Sequence, residues 1–301
     1  CKVCSFNRHS LSPIRCYKQQ YQRYCVFVII GRKKLSEVDL SDDYANAKYI
    51  SNAKSFPEKW QQQANNFRNE RALFSNVELD IPYGPSDREK MDIFYPEKKS
   101  IGVFVFIHGG YWRAFDKSSW SHLSLGALDN GFAAVIPSYR LCPEVSIAQI
   151  TLDIAQCIIE LAQRLNVGPL VLAGHSAGGH LVSRMLCENV LPKNVSDRLA
   201  CVAPISPLAD LQPLMFTDLN LDLNLSVETA ILESPLFYKP IDVNTQVWVG
   251  EDERPAFLQQ AELLSKKWQC GLIIQPSAHH FDIIDELLDP RSKMCKYLFQ
   301  N

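Results

Sequence analysis

GHSAG, at residues 174–178, is a serine between two glycines, and it follows directly on the apolar run LVLA at 170–173. Such a serine is typical of the sharp turn from a strand into a helix that lifts a nucleophile clear of a sheet. The turn leaves no room for a Cβ atom two residues before and two after the serine. A serine in a surface turn is the other interpretation. Residues 178–187, however, have apolar residues at helical spacing, which predicts that a helix follows the serine. We therefore predict that Ser176 is the nucleophile of a serine hydrolase.

A second glycine motif, HGGYW at residues 108–112, follows the apolar run 102–107, which predicts a buried strand. Acyl transfer builds negative charge on a carbonyl oxygen, and each backbone N–H aimed at that point stabilises it by about 3 kcal/mol. In hydrolases with such a loop the donors are expected at Gly110 and Tyr111, with a third at Ala177 after the nucleophile. A plain glycine-rich turn is the alternative, which the nearby GHSAG motif disfavours. The sequence therefore predicts an oxyanion hole.

The general base and its acid should follow the nucleophile, since the chain order in this architecture is serine, acid, histidine. The C-terminal third of the chain has two histidines, His279 and His280, which come after a strand-like run at 272–275. The acid is expected at the end of the preceding predicted strand, 245–249, where the carboxylates are Glu251, Asp252 and Glu253. Either Asp or Glu can accept the Nδ1 proton of the base. Spacing alone leaves both choices open, and stabilisation of a helix start is the alternative interpretation of these carboxylates.

Strand and helix patterns alternate after residue 101. Helices are predicted at 118–129, 147–165 and 256–269, and further strands at 133–137 and 200–205. This rhythm predicts an α/β protein with a mostly parallel central sheet flanked by helices, as in the α/β-hydrolase fold. Residues 208–234 interrupt the alternation between the sixth and seventh strands. In this fold an insertion at that point usually forms a short cap over the active site.

Several separated motifs together resemble the kynurenine formamidase (arylformamidase) branch of the α/β-hydrolase superfamily, including its bacterial relatives. They are YGP at 83–85 with DIFYP at 92–96, HGGYW at 108–112, GHSAGGH at 174–180, SP at 234–235 and HF at 280–281. The tyrosine–tryptophan pair after the glycines is the specific one, because many esterases have a third glycine there. The resemblance covers about residues 45–300. It implies a single hydrolase domain, to which we assign residues 35–301.

The resemblance also chooses among the candidate residues. The family's histidine stands directly before a phenylalanine, which implies His280. The family's acid motif, DSPEF, falls on ERPAF at 253–257 and implies Glu253, with Asp252 as the alternative. The pocket residues are expected to be Trp112, His108 and Phe281. The same family pattern implies a short helical lid at 219–225, although these residues alternate as a strand does, and a helical arm at 40–67.

The implied activity is release of formate from N-formylkynurenine, with Ser176, His280 and the acid as a triad and with no metal and no cofactor. A carboxylesterase that acts on small acyl esters is the alternative. A third class, a hydrolase-fold binding protein without catalysis, is disfavoured because the chain has a candidate for every catalytic role. The expected partner is therefore a small-molecule substrate, and a homodimer is a further expectation.

Composition excludes other classes. The chain is 47% hydrophobic and 21% charged with a net charge of −2, which is ordinary for a globular enzyme and offers no general attraction to nucleic acid. No apolar run reaches the length of about 18 residues that predicts a membrane-spanning helix. Ten cysteines are present, and six of them fall singly in apolar segments, where cysteine behaves as a small core residue. Free thiols predict a cytoplasmic protein.

Residues 1–34 differ from the rest, with eight Lys or Arg, no Asp or Glu and four cysteines. They match nothing in the family. A basic leader and a stretch outside the true protein start are both consistent with this composition. Zinc binding by the four cysteines is disfavoured, because their spacing is not that of a zinc finger. We assign this segment no function.

Overall fold

Eight strands form one sheet in the residues described by the computed structural model, 38–72 and 76–300, with the order β1-β2-β4-β3-β5-β6-β7-β8. The first two strand pairs, β1 with β2 and β2 with β4, are antiparallel, and the others are parallel. The strands are β1 Val77–Pro82, β2 Lys90–Phe94, β3 Gly102–Ile107, β4 Phe132–Pro137, β5 Leu170–His175, β6 Leu199–Ile205, β7 Asn244–Gly250 and β8 Gly271–Gln275. The predicted mostly parallel sheet is confirmed.

The central strands are apolar along their whole length because both faces of the sheet are covered. Every residue of β3, β4 and β5 is buried, as expected for parallel strands between two helical layers. Side chains alternate between the faces, so Val103 and Val105 of β3 lie in one core and Phe104 and Phe106 in the other. The fold described here is that of the unit Leu40–Asn301.

Helices form a layer on each face of the sheet. They are α1 Phe56–Ala72, α2 Leu125–Asp129, α3 Ile147–Arg164, α4 Ala177–Met185, α5 Lys193–Ser196, α6 Asn220–Leu223, α7 Val227–Glu233, α8 Pro255–Trp268 and α9 Lys293–Phe299. Helices α3, α4 and α8 contribute to one core, and α1, α2 and α9 to the other. None of the helices within the described residues is both long and apolar enough to cross a membrane.

The predicted continuous helix at 118–129 is wrong in its first half. The structure has two short 3-10 segments there, Lys117–Ser119 and Ser121–Ser124, before α2 begins. Serine is frequent in this stretch, and its hydroxyl competes for backbone hydrogen bonds, which disfavours a regular helix. The arm predicted at 40–67 begins with the 3-10 segments Asn46–Tyr49 and Ala53–Ser55 and continues as α1.

The predicted cap segment, 208–234, is helical. It contains the 3-10 segment Gln212–Phe216 followed by α6 and α7. The alternating leucines at 219–225 do not form a strand. Leu221 is 86% exposed while Leu223 is 3% exposed, although both would point to the same face of a strand. The side chain of Asn220 instead bonds to the backbone N–H of Leu225 at 2.7 Å and closes a helical turn.

The predictions for residues 1–34, including the zinc alternative, lie outside the described residues.

Candidate active site

The predicted nucleophile lies at the sharp turn between β5 and α4. Ser176 has φ 56° and ψ −115°, a left-handed backbone that serine rarely adopts. The flanking glycines are needed here, since a Cβ atom on Gly174 would lie 2.2 Å from the carbonyl oxygen of Gly178. A Cβ on Gly178 would lie 1.9 Å from the carbonyl oxygen of Ile107 in β3. The turn is held by a 2.8 Å hydrogen bond from the Ser176 N–H to Ile205 of β6.

The predicted base and acid meet in the structure. Nδ1 of His280 lies 2.6 Å from Oε2 of Glu253, and both residues are buried. The other carboxylate oxygen, Oε1, accepts hydrogen bonds from the N–H of Gly250 at 2.8 Å and from the hydroxyl of Ser206. The carboxylate therefore has a fixed orientation, and it holds the imidazole with Nε2 available for other contacts.

The two neighbouring candidates have other positions. Asp252 is exposed, and its backbone N–H donates to the carbonyl of Ala278 at 2.9 Å. The backbone N–H of His279 donates to Asp282 Oδ1 at 2.7 Å, and the His279 ring contacts Phe56 with ring centroids 5.4 Å apart. The structure thus brings His280 and Glu253 together, and it places Asp252 and His279 outside that pair.

One ring contact connects the base to the nucleophile turn. The ring of His175, the residue before Ser176, lies with its centroid 4.6 Å from that of His280, and Phe257 lies 4.4 Å from the same ring. Burial lowers the pKa of His175 well below its usual value, so this ring stays uncharged beside His280. The glycine-rich loop is adjacent as well, since a Cβ on Gly109 would lie 3.1 Å from the Cβ of Ser176.

The predicted oxyanion loop has an unusual backbone. Gly110, Tyr111 and Trp112 have φ values of 108°, 51° and 56°. For the two non-glycine residues this conformation costs about 1–3 kcal/mol each. The surrounding chain holds it, because the Tyr111 hydroxyl donates to the carbonyl of Tyr44 at 2.7 Å and the carbonyl of Trp112 accepts from the N–H of Cys142 at 2.8 Å.

The backbone amides of this loop are available to a ligand. Within residues 38–72 and 76–300, the N–H groups of Gly110, Tyr111 and Ala177 donate to no other group of the protein. Ala177 is also the first residue of α4, and the N-terminal end of a helix favours negative charge. The arrangement therefore offers hydrogen-bond donors next to Ser176, which is what an acyl-transfer transition state needs.

The predicted pocket residues fall into two groups. Trp112 is 0% exposed and packs edge-on against His180, with ring centroids 5.1 Å apart. His108 is also fully buried; it stacks on Tyr139, and burial lowers its pKa to about 4. Neither can line an open pocket in this conformation, so we interpret both as supports beneath the loop. Phe281 is only partly buried and is the member of the three with surface open to a ligand.

Ser206 and Tyr44 are site residues that the sequence analysis missed. Ser206 directly follows β6, which neighbours β5, and its hydroxyl bonds to Glu253. Its position was a usable signal, since the carboxyl ends of neighbouring parallel strands meet at one edge of a sheet. Tyr44 lies far away in sequence, and its contact to Tyr111 is made through a backbone carbonyl, which carries no sequence signal.

Metal-ligating groups are not clustered in the described part of the chain: no group of three or more His, Cys, Asp or Glu there is arranged to hold an ion. The cysteines that the structure describes are free thiols, namely Cys142, Cys157, Cys187, Cys201, Cys270 and Cys295.

Glu253→Gln is expected to lower kcat by roughly four orders of magnitude. Gly250 donates its N–H to Oε1, and two N–H donors repel each other at that position. The new amide NH₂ would therefore point towards His280. The NH₂ group would then donate to Nδ1 and stabilise the wrong imidazole tautomer. Steady-state kinetics of Glu253→Gln and of the matched variant Asp252→Asn measure this. We expect Asp252→Asn to keep wild-type kcat, and an equal loss in both variants would contradict the assignment of the acid.

Comparisons with known proteins agree with this architecture. The family model described as BD-FAE matches residues 91–201. A curated kynurenine formamidase of Danio rerio is 27% identical over 236 residues, covering 74% of this chain and 80% of that protein. A candidate thioesterase from Silicibacter sp. TM1040 has a crystal structure with 48% identity and a TM-score of 0.84, covering 87% of this chain and 99% of that one. Esterase B of Lactobacillus rhamnosis shares the fold at 18% identity, with a TM-score of 0.59 and coverage of 84% and 91%.

The fold and the relatives together define the class: the protein is an α/β-hydrolase and a serine hydrolase enzyme. Its relatives act on small molecules. Within this class the chain is similar to curated kynurenine formamidases.

Proposed function

We propose that the protein is an arylformamidase that releases formate from N-formylkynurenine. The observation that carries the catalytic part of this proposal is the buried His280–Glu253 pair beside the Ser176 turn, with N–H groups at Gly110, Tyr111 and Ala177 that have no other acceptor in the described chain. The choice of a formamide rests on the kynurenine formamidase relatives and on the HGGYW loop.

The proposed reaction has two halves. His280 takes the proton of the Ser176 hydroxyl while the serine oxygen attacks the formyl carbon, and the resulting oxyanion accepts hydrogen bonds from the three amides. The C–N bond then breaks, His280 gives its proton to the departing arylamine nitrogen, and the formyl group stays on Ser176. Water gives a proton to His280 as it attacks this formyl ester, and His280 returns that proton to the Ser176 oxygen as the ester bond breaks, which releases formic acid, ionised to formate at neutral pH, and restores the serine hydroxyl.

Ester hydrolysis is the second candidate, because structural relatives are described as esterases and as a candidate thioesterase. The same groups would cleave an ester, since Ser176 would attack an equivalent acyl carbon and the same amides would stabilise the oxyanion that forms. The cytoplasmic location and the homodimer that the sequence suggests stay predictions.

A paired steady-state assay tests the choice of substrate. Purified protein is given N-formylkynurenine, p-nitrophenyl acetate and an acetyl thioester, and kcat/KM is compared. We expect the formamide to be preferred by at least about a hundredfold, which would correspond to nearly 3 kcal/mol of differential transition-state binding. Turnover of the ester or thioester without the formamide would make the protein an esterase and reject the proposal.

A further inference from the structure

Five aromatic side chains from three separate stretches of the chain meet beside His280. They form what we call the aromatic wall: Phe56, Trp60, Phe115, Trp120 and Phe281. Trp60 is at the centre, with ring centroids 5.6 Å from Phe56, 5.3 Å from Phe281, 6.0 Å from Phe115 and 4.8 Å from Trp120. These distances are in the range in which aromatic rings attract one another. The wall therefore joins the arm helix α1 to two loops, the one that follows β3 and the one that follows β8.

Two members of the wall contact the catalytic loops directly. Phe281 follows His280 in the chain, and their ring centroids are 6.1 Å apart. Phe115 lies over the oxyanion loop, since a Cβ on Gly110 would come within 2.9 Å of its Cδ2 atom. The wall thus begins at one catalytic group and ends at another.

The inner part of the wall is buried, and its outer edge is partly exposed. Trp60 is 3% exposed and Trp120 is 2% exposed, so both rings are fixed in the core. Phe56, Phe115 and Phe281 are only partly buried and pack against that core. A rigid support with an apolar edge open to solvent is suited to contact the flat face of another aromatic ring.

The position of the wall relates it to the leaving group. In acyl transfer the base must reach the leaving atom to protonate it, so the departing group lies within hydrogen-bond reach of His280. The acyl group, in contrast, lies at Ser176 and the amides of the oxyanion loop. Phe281 adjoins His280, so the wall borders the group that must protonate the leaving atom.

We propose that the aromatic wall is the leaving-group subsite, and that Phe56 of the arm and Phe281 select substrates whose leaving group is a planar aryl amine or phenol. This inference rests on the proposed acyl-transfer function of Ser176 and His280. It assigns a specificity role to α1, a helix that lies outside the sheet and contributes no catalytic group.

Phe56→Leu and Phe281→Leu test the wall, since leucine keeps the site apolar and removes the ring. The probes are phenyl acetate and 2,2,2-trifluoroethyl acetate, which share the acyl group and differ in the leaving group. We expect the preference for the phenyl ester, measured as the ratio of kcat/KM values, to fall about tenfold in each variant. The inhibition constant for aniline, the aryl amine itself, should rise by a similar factor.

Phe67→Leu is the matched control. Phe67 lies on the same helix but packs against Phe94, with ring centroids 5.1 Å apart, away from the catalytic loops. It should lose stability without changing either the ratio or the aniline constant. Phe56→Tyr keeps the ring and should keep the wild-type ratio. The proposal is overturned if Phe56→Leu and Phe281→Leu leave the ratio unchanged, or if they slow both esters equally.

These experiments can reject the aromatic-wall proposal and the formamidase proposal independently of each other. Both probes are acetate esters, so the ratio does not require formamide turnover. Loss of the wall's effect with intact hydrolysis of N-formylkynurenine would reject only the wall. Failure to hydrolyse N-formylkynurenine, with the phenyl preference present and lost in Phe56→Leu, would reject only the formamidase.

Discussion

Ser176→Ala is expected to lower kcat by about a million-fold, the scale of loss that removal of the nucleophile causes in a serine hydrolase. Without the hydroxyl no acyl-enzyme can form, and the remaining amides can only stabilise direct attack by water. Binding should change little, because the substitution removes a single oxygen atom from a buried residue. The measurement is single-turnover and steady-state kinetics on N-formylkynurenine and p-nitrophenyl acetate.

Ser183→Ala is the matched control for this variant. Ser183 is buried in the same helix, and its hydroxyl donates to the carbonyl of Gly179 at 2.8 Å. Its loss should alter stability slightly and leave kcat unchanged. If Ser176→Ala kept more than about a hundredth of the wild-type kcat, far above the residual activity of such variants, another nucleophile would have to carry the reaction.

His280→Ala is expected to cost about as much as the serine variant, because the two residues act as a unit and neither functions without the other. The serine hydroxyl would lose its proton acceptor, and the leaving arylamine would lose its proton donor. His279→Ala should change kcat by no more than about fivefold, since its ring contacts Phe56 and its N–H is held by Asp282.

The distinction between these adjacent histidines is measured by kcat for the two single variants and the double variant. The double variant should match His280→Ala within error if His279 has no chemical role. Equal losses in the two single variants would mean that the assignment of the base is wrong or that both rings take part.

The sequence predicted those elements whose physics is local. Buried parallel strands must be apolar on both faces, and the strand at 102–107 was predicted with the bounds that the structure has. The turn at Ser176 requires glycines at fixed positions, and Gly174 and Gly178 have the close contacts that exclude a side chain. In both cases the constraint acts within a few residues, so one amino-acid sequence is enough to predict the feature.

Other features depend on side-chain orientations and long-range contacts, which the sequence does not specify. The choice between Asp252 and Glu253 depends on which side chain turns inward between Gly250 and Ser206, and spacing cannot distinguish adjacent residues. Trp112 was expected in the pocket as an aromatic residue beside a catalytic loop, but its left-handed backbone directs the ring into the core against His180. Contacts with the arm, such as Tyr44 to Tyr111, join residues distant in the sequence.

The left-handed backbone at Tyr111 and Trp112 has a consequence for how this enzyme can change. The fold itself keeps the loop in shape, through Tyr44 and Cys142, so the amides are organised before any ligand arrives. Because Tyr44 belongs to the arm, substitutions in the arm are expected to alter the geometry of the oxyanion amides as well as the choice of ligand.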